Sequence, residues 1–177
     1  MKVVYLLTLV FLIVSCKEKA QTTLSAQEIV DKAISVSGGE QYRTNDVFYK
    51  FRDYQYASEW KDGDRILKRI RLTDSTKVVD VRGNRGFSRF VNDSLVPLKD
   101  SIANLYANSV NSVHYFAHLP YGLNDPAVNK ELLGIVTVKD KKYYKVKVTF
   151  DQKGGGKDYE DIYLYWFNKE TFKPDYL

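Results

Sequence analysis

Apolar positions along the chain follow three spacings. The first is continuous: residues 3–14 are apolar or small, preceded by Lys2 and closed by Ser15-Cys16. A run of about a dozen is shorter than the roughly 20 residues a bilayer-spanning helix needs. One basic residue before it and small residues after it make the pattern of a cleaved export signal. The second spacing is helical. Ser25-Ala26-Gln27-Glu28 fits a capping box, Leu24 and Ile29 sit where a hydrophobic staple closes, and Ala26, Ile29, Val30, Ala33 and Ile34 recur on one face. Gly38-Gly39 ends that helix, because glycine takes the left-handed C-cap without a Cβ penalty.

The third spacing has a period of two. Residues 47–60 read as one aromatic strand, interleaving Phe48, Tyr49, Phe51, Tyr54 and Tyr56 with Lys50, Arg52 and Asp53, and Lys61-Asp62-Gly63-Asp64 is a tight turn. Over 65–72 the alternation is clean, with Ile66, Ile70 and Leu72 on one face and Arg65, Arg69 and Arg71 on the other, so the arginine face is expected to be solvated. Further strands at 76–82, 87–91 and 95–98 extend an up-and-down meander. A second helix is expected over 100–118, capped by Asp100, with Ile102, Leu105, Tyr106, Val110, Val113 and Phe116 as its apolar stripe. Pro120 and Gly122 stop it, and the loop they open keeps enough large residues to pack over something.

Strands resume at 135–138 and 143–150, where Tyr144, Val146, Val148 and Phe150 face one way. Residues 152–161, with Gly154-Gly155-Gly156, read as an open, mobile loop before a last hairpin of 162–167 and 172–177. The chain stops inside that strand, at Tyr176-Leu177. An apolar, unprotected edge is what natural sheets blunt, so either this hairpin is expected to close against another part of the sheet or the natural chain runs further.

Ile13-Val14-Ser15-Cys16 resembles the lipobox of bacterial lipoproteins, in which the cysteine becomes the first mature residue and carries the lipid. Cys16 is also the sole cysteine of the 177 residues, so no internal disulfide forms. The expected organisation is a lipoprotein signal peptide at 1–15, a lipidated tether at 16–24 and a single domain at 25–177. The resemblance implies three acyl chains, more than the two signals needed for stable anchoring to a membrane. Lys17, where an aspartate would argue for inner-membrane retention, implies the outer membrane of a Gram-negative envelope.

The capped first helix ending in Gly-Gly, the long meander, the mid-chain helix and the closing Leu164-Tyr165-Trp166-Phe167-Asn168-Lys169-Glu170-Thr171 together resemble the LolA-like half-barrel lipoproteins. Ser37-Gly38-Gly39-Glu40-Gln41-Tyr42 and Leu119-Pro120-Tyr121-Gly122-Leu123-Asn124-Asp125-Pro126 resemble, more narrowly, exported lipoproteins of that fold with no defined activity. The fold this implies is α+β: a strongly curved antiparallel sheet, or half-barrel, with the N-terminal and mid-chain helices packed on its concave side. It also implies an apolar cavity between sheet and helix. The candidate wall residues are Phe48, Phe51, Ile102, Leu105, Phe116, Tyr144, Val146, Val148 and Phe150.

Charge and side-chain chemistry narrow the function. The formal charge is +5, about +4 once Lys2 leaves with the first 15 residues, and it is spread out, so nucleic acid is not an expected partner. Arg65, Arg69 and Arg71, with Arg82, Arg85 and Arg89 nearby, form a candidate basic surface for anionic headgroups or glycans. His114 and His118 have metal-ligand spacing on a helix, but no cysteine or His-Glu motif accompanies them, and no metal or other cofactor is expected. No serine lies in a G-x-S-x-G elbow, and the triple glycine lacks the Lys and Ser/Thr of a phosphate loop. The four acids around it, Asp151, Asp158, Glu160 and Asp161, fit no Ca²⁺-loop spacing. The expectation is a non-enzymatic, membrane-anchored module for a lipid or other hydrophobic ligand. The alternative is a structural or protein-interaction lipoprotein.

Overall fold

A computed structural model describes residues 24–177. The export signal, Cys16 and most of the tether lie outside the described residues. The described chain is α+β, with three helices and ten strands in two antiparallel sheets. The six-stranded sheet is a plain meander of β1 (Val47–Phe51), β2 (Tyr54–Lys61), β3 (Asp64–Leu72), β4 (Lys77–Gly83), β5 (Gly86–Val91) and β6 (Ser94–Val96). The four-stranded sheet runs β10 (Pro174–Tyr176), β9 (Tyr163–Asn168), β8 (Lys141–Phe150), β7 (Val128–Val138). The single continuous sheet expected from the resemblance is thus divided in two, each half with its own helix.

Helix α1 (Ala26–Ser37) starts as its capping box dictates: the Glu28 N–H donates to Ser25 Oγ at 3.2 Å and the Ser25 N–H donates to Glu28 Oε2 at 2.8 Å. At the other end the Gly39 N–H donates to the Ile34 carbonyl at 2.9 Å, with Gly39 at φ 55°. Ala26, Ile29, Val30 and Ala33 bury against Val146 and Val148 of β8, Tyr165 and Phe167 of β9, and Leu123. Burying one such Val, Ile or Phe side chain is worth roughly 1.5–3 kcal/mol, so this apolar layer carries much of the domain's stability. A one-turn helix α2 (Gln41–Thr44) follows.

Three boundaries differ from the sequence reading. The aromatic strand of 47–60 folds back on itself: Arg52, at φ 54°, and Asp53 turn the chain so that Phe51 pairs with Tyr54. No Gly or Pro marks that turn, so periodicity runs straight through it. Strand β7 begins at Val128, seven residues before the expected start, and a bulge between Leu132 and Gly134 interrupts its alternation. Helix α3 (Asp100–Ala117) takes Lys99 as its N-cap, without a side-chain cap, and Asp100 sits in its first turn.

The larger correction concerns which faces are buried. On β3 the alternation is real but its sides are exchanged. Arg65, Leu67 and Arg69 point under α3, Leu67 and Arg69 being buried, while Ile66 and Ile70 are half-buried and Leu72 is 55% exposed on the outer face. Helix α3 is rotated accordingly. Val110 and His114 are buried against the sheet, whereas Ile102, Leu105 and Phe116 from the expected stripe are 39%, 56% and 45% exposed. An arginine turns inward only where a counter-charge meets it, and the one that meets Arg69 sits 11 residues away on the next strand.

Candidate functional site

Two regions flank α3, one packed and polar, the other open. Beneath the helix, strand register aligns Tyr49, Tyr56, Arg69, Asp80 and Arg89 in one row across β1–β5. Asp80, 2% exposed, takes two guanidinium groups: Arg69 Nη2 at 2.7 Å and Arg89 Nε at 2.6 Å. Arg69 Nη1 donates to Ser109 Oγ of α3 at 2.8 Å, and the Arg89 guanidinium lies 3.6 Å from the Tyr106 ring centroid. The Tyr49 and Tyr56 rings stack at 5.1 Å, and both meet the His114 ring edge-on at 5.5 Å.

The protonation state of His114 follows from its partners. The Lys68 carbonyl can only accept, so Nε2 carries the proton that donates to it at 3.0 Å. Nδ1 then accepts from the Tyr49 hydroxyl at 3.1 Å. Burial pushes the imidazole's pKa down to about 4, and the neighbouring His118 and Arg65 push the same way. His118 donates from Nδ1 to the His114 carbonyl at 2.6 Å, and burial lowers its pKa too. His114 thus ties α3 to the sheet, while His118 closes the C-terminus of the helix and keeps Nε2 buried without a partner. Among the described residues no group of three or more His, Cys, Asp or Glu is placed to hold a metal ion.

The open side is a groove of about 370 Å³ between the outer flank of α3 and the end of the four-stranded sheet. Its floor is aromatic: Phe116 meets Tyr163 at 6.0 Å, Phe150 meets Tyr163 at 5.9 Å, and Tyr115 meets Phe150 at 6.4 Å between ring centroids, all edge-to-face. Leu105, Asn108, Asn111 and Ser112 of α3 form one wall. The other is the loop of residues 154–158, with Asp125, Ala127 and Val128 at its base. That loop is tightly built. The Gly155 N–H donates to the Asp151 carbonyl at 3.0 Å, and a Cβ on Gly155 would collide with that carbonyl oxygen and with the Cβ atoms of Phe150 and Tyr159. Burial pushes the Tyr115 hydroxyl up to about 12 and raises the Asp125 carboxyl.

The nominated wall residues scatter. Leu105, Phe116 and Phe150 line the groove. Tyr144, Val146 and Val148 belong to the filled apolar core. Ile102 lies on the exposed flank of α3 beyond the groove, Phe48 is 69% exposed on the outer face of β1, and Phe51, 45% exposed, has the Arg52 guanidinium 5.1 Å from its ring. Of the nominated basic surface, Arg71 is exposed, Arg65 is half-buried and donates to Ser58 Oγ and the Tyr42 carbonyl, and Arg69 is buried in its ion pair. Sequence reasoning missed Tyr115, Tyr163 and the two asparagines. One signal pointed to them: Leu105, Ser112 and Phe116 recur at helical spacing on a flank the inward-facing residues leave free.

With this geometry established, comparison with known families places the chain. Residues 2–177 match the model described as a family of unknown function, DUF6503. The chain belongs to that family. No curated protein matches it. The DUF6503 domain described here thus presents one open groove and one packed polar interface on opposite sides of a single helix. Among the described residues, no helix is long and apolar enough to cross a membrane.

Proposed function

We propose that the protein is an exported lipoprotein, anchored through Cys16 to the cell envelope and most consistently to the outer membrane, whose domain holds a lipid or other hydrophobic ligand without chemical turnover. The observation that carries this reading is the groove beside α3, where Leu105 stays exposed beside the aromatic floor of Phe116, Phe150 and Tyr163. An apolar flank left open beside a concave aromatic floor is the arrangement of a small-molecule site. On the same reading the two sheets are the halves of a LolA-like half-barrel, and the groove is its ligand cavity.

Native mass spectrometry of the purified full-length protein tests this. A copurified hydrophobic ligand is expected, and it is lost in Leu105→Glu, a substitution at a surface position that leaves the fold intact. Repeated absence of any such ligand from the wild-type protein would sink the proposal. Anchoring has its own test: Cys16→Ala should release the protein from membranes and abolish acyl labelling.

A second reading, a protein-interaction lipoprotein with no small-molecule ligand, is favoured by one feature. Ile70, Val79, Phe90 and Leu95 are aligned by strand register on the outer face of the six-stranded sheet, the face away from α3. A crosslinking pull-down that returned one dominant protein partner, reduced by Phe90→Lys, would support it.

A further inference from the structure

We infer that the groove is matched to an uncharged amphiphile, an acyl chain ending in a hydroxyl-bearing headgroup, and that it selects against chains ending in a carboxylate or phosphate. This deepens the reading above and rests on it. The chain carries +5 overall, yet the charged side chains lining the groove are Asp125, Asp158 and Lys157, two acids against one base. The strong cations are elsewhere. Arg69 and Arg89 lie beneath α3, both tied to Asp80, and Arg65 is engaged by Ser58 and the Tyr42 carbonyl. An anionic headgroup entering the groove would lose water and meet one lysine beside two carboxylates. Like charges brought together across a binding site are a strong negative selector.

The remaining polar groups suit hydroxyls. Asn108 and Asn111 lie on the α3 wall, and neither side chain has a hydrogen-bond partner among the described residues. An amide offers a donor and an acceptor side by side, which a hydroxyl, itself both, satisfies and a carboxylate, an acceptor alone, satisfies by half. Below these groups the floor of Phe116, Phe150 and Tyr163 takes the apolar part of the ligand.

Calorimetric titration of the purified full-length protein with monopalmitoylglycerol and with palmitate, each below its aggregation threshold and at a mildly alkaline pH, separates the possibilities. The two probes share an acyl chain and differ in headgroup charge. Monopalmitoylglycerol should bind at least about tenfold more tightly. Equal or tighter binding of palmitate overturns the inference and leaves the groove reading standing; failure of both to bind overturns both. Asp158→Lys, at an exposed loop position, should move the ratio of the two affinities toward palmitate by about threefold or more. An unchanged ratio would refute the charge argument. Leu105→Glu should abolish binding of both probes, and persistence of both in that variant would put the ligand elsewhere and overturn both readings.

Discussion

The two helix–sheet interfaces of this domain solve one problem with opposite chemistry. Helix α1 meets the four-stranded sheet through Ile29, Val30, Val146, Val148 and Phe167, each fully buried and without a polar atom in its side chain. Helix α3 meets the six-stranded sheet through Ser109, His114 and the Arg69–Asp80–Arg89 row. The first contact is non-directional and tolerates repacking of similar volume. The second is directional, and each member leaves an orphan if removed. The difference matters for the site. A helix seated through Ser109, His114 and the Tyr106 ring, with Val110 as its fully buried apolar contact, leaves Leu105 and Phe116 for the other side, and on α3 that flank is a wall of the groove.

Removing one member from each interface gives the largest expected effects. Phe167→Ala should cost about 3–5 kcal/mol by opening a cavity in the apolar core. Asp80→Ala should cost a similar 3–5 kcal/mol for a different reason, leaving two guanidinium groups packed under α3 without an anion. The combined variant Arg69→Met, Asp80→Leu, Arg89→Met distinguishes the two. It should regain most of the loss on chemical denaturation, because a buried ion cluster replaced by apolar groups of similar volume is often neutral. If that variant unfolds as readily as Asp80→Ala, the ion row contributes net stability and the contrast weakens.

Acid acts on the polar interface and spares the apolar one. Burial holds folded His114 at about 4 against an ordinary 6.5, so the unfolded chain binds this proton first as pH falls. Its contribution is full above pH 6.5 and drains away between 6.5 and 4, a loss approaching about 3 kcal/mol for a group 2% exposed. Denaturation midpoints across that window should fall less steeply in His114→Gln. An identical slope would show that the histidine is not the group being titrated.

Smaller effects follow further from the buried row. Tyr49→Phe strips the donor from His114 Nδ1 and should cost about 1–2 kcal/mol, while raising the apparent acid midpoint, since Nδ1 becomes free to take a proton. Leu105→Glu should change stability by less than about 0.5 kcal/mol, as exposed substitutions do. A large loss there, read as a lowered Tm, would mean that the outer flank of α3 is structural and the comparison wrong.

Local rules reach a good part of this fold. The capping box at Ser25 and Glu28, the Gly38-Gly39 stop, the Asp62-Gly63 turn and the alternation of β3 and β8 each depend on residues within a few positions of one another. The shared face of Tyr144, Val146 and Val148 was legible for the same reason, but its place was not: the expected cavity wall is filled core. Which side of an alternating strand lies inside, and which flank of α3 stays open, depend instead on residues far apart in the chain. Arg69 reads as solvent-facing until Asp80 and Ser109 arrive from another strand and from a helix 40 residues away to satisfy it. Once the polar row claims the inner side of α3, Leu105 and Phe116 are turned outward over Phe150 and Tyr163. The groove is thus a consequence of long-range charge compensation, which no local periodicity records.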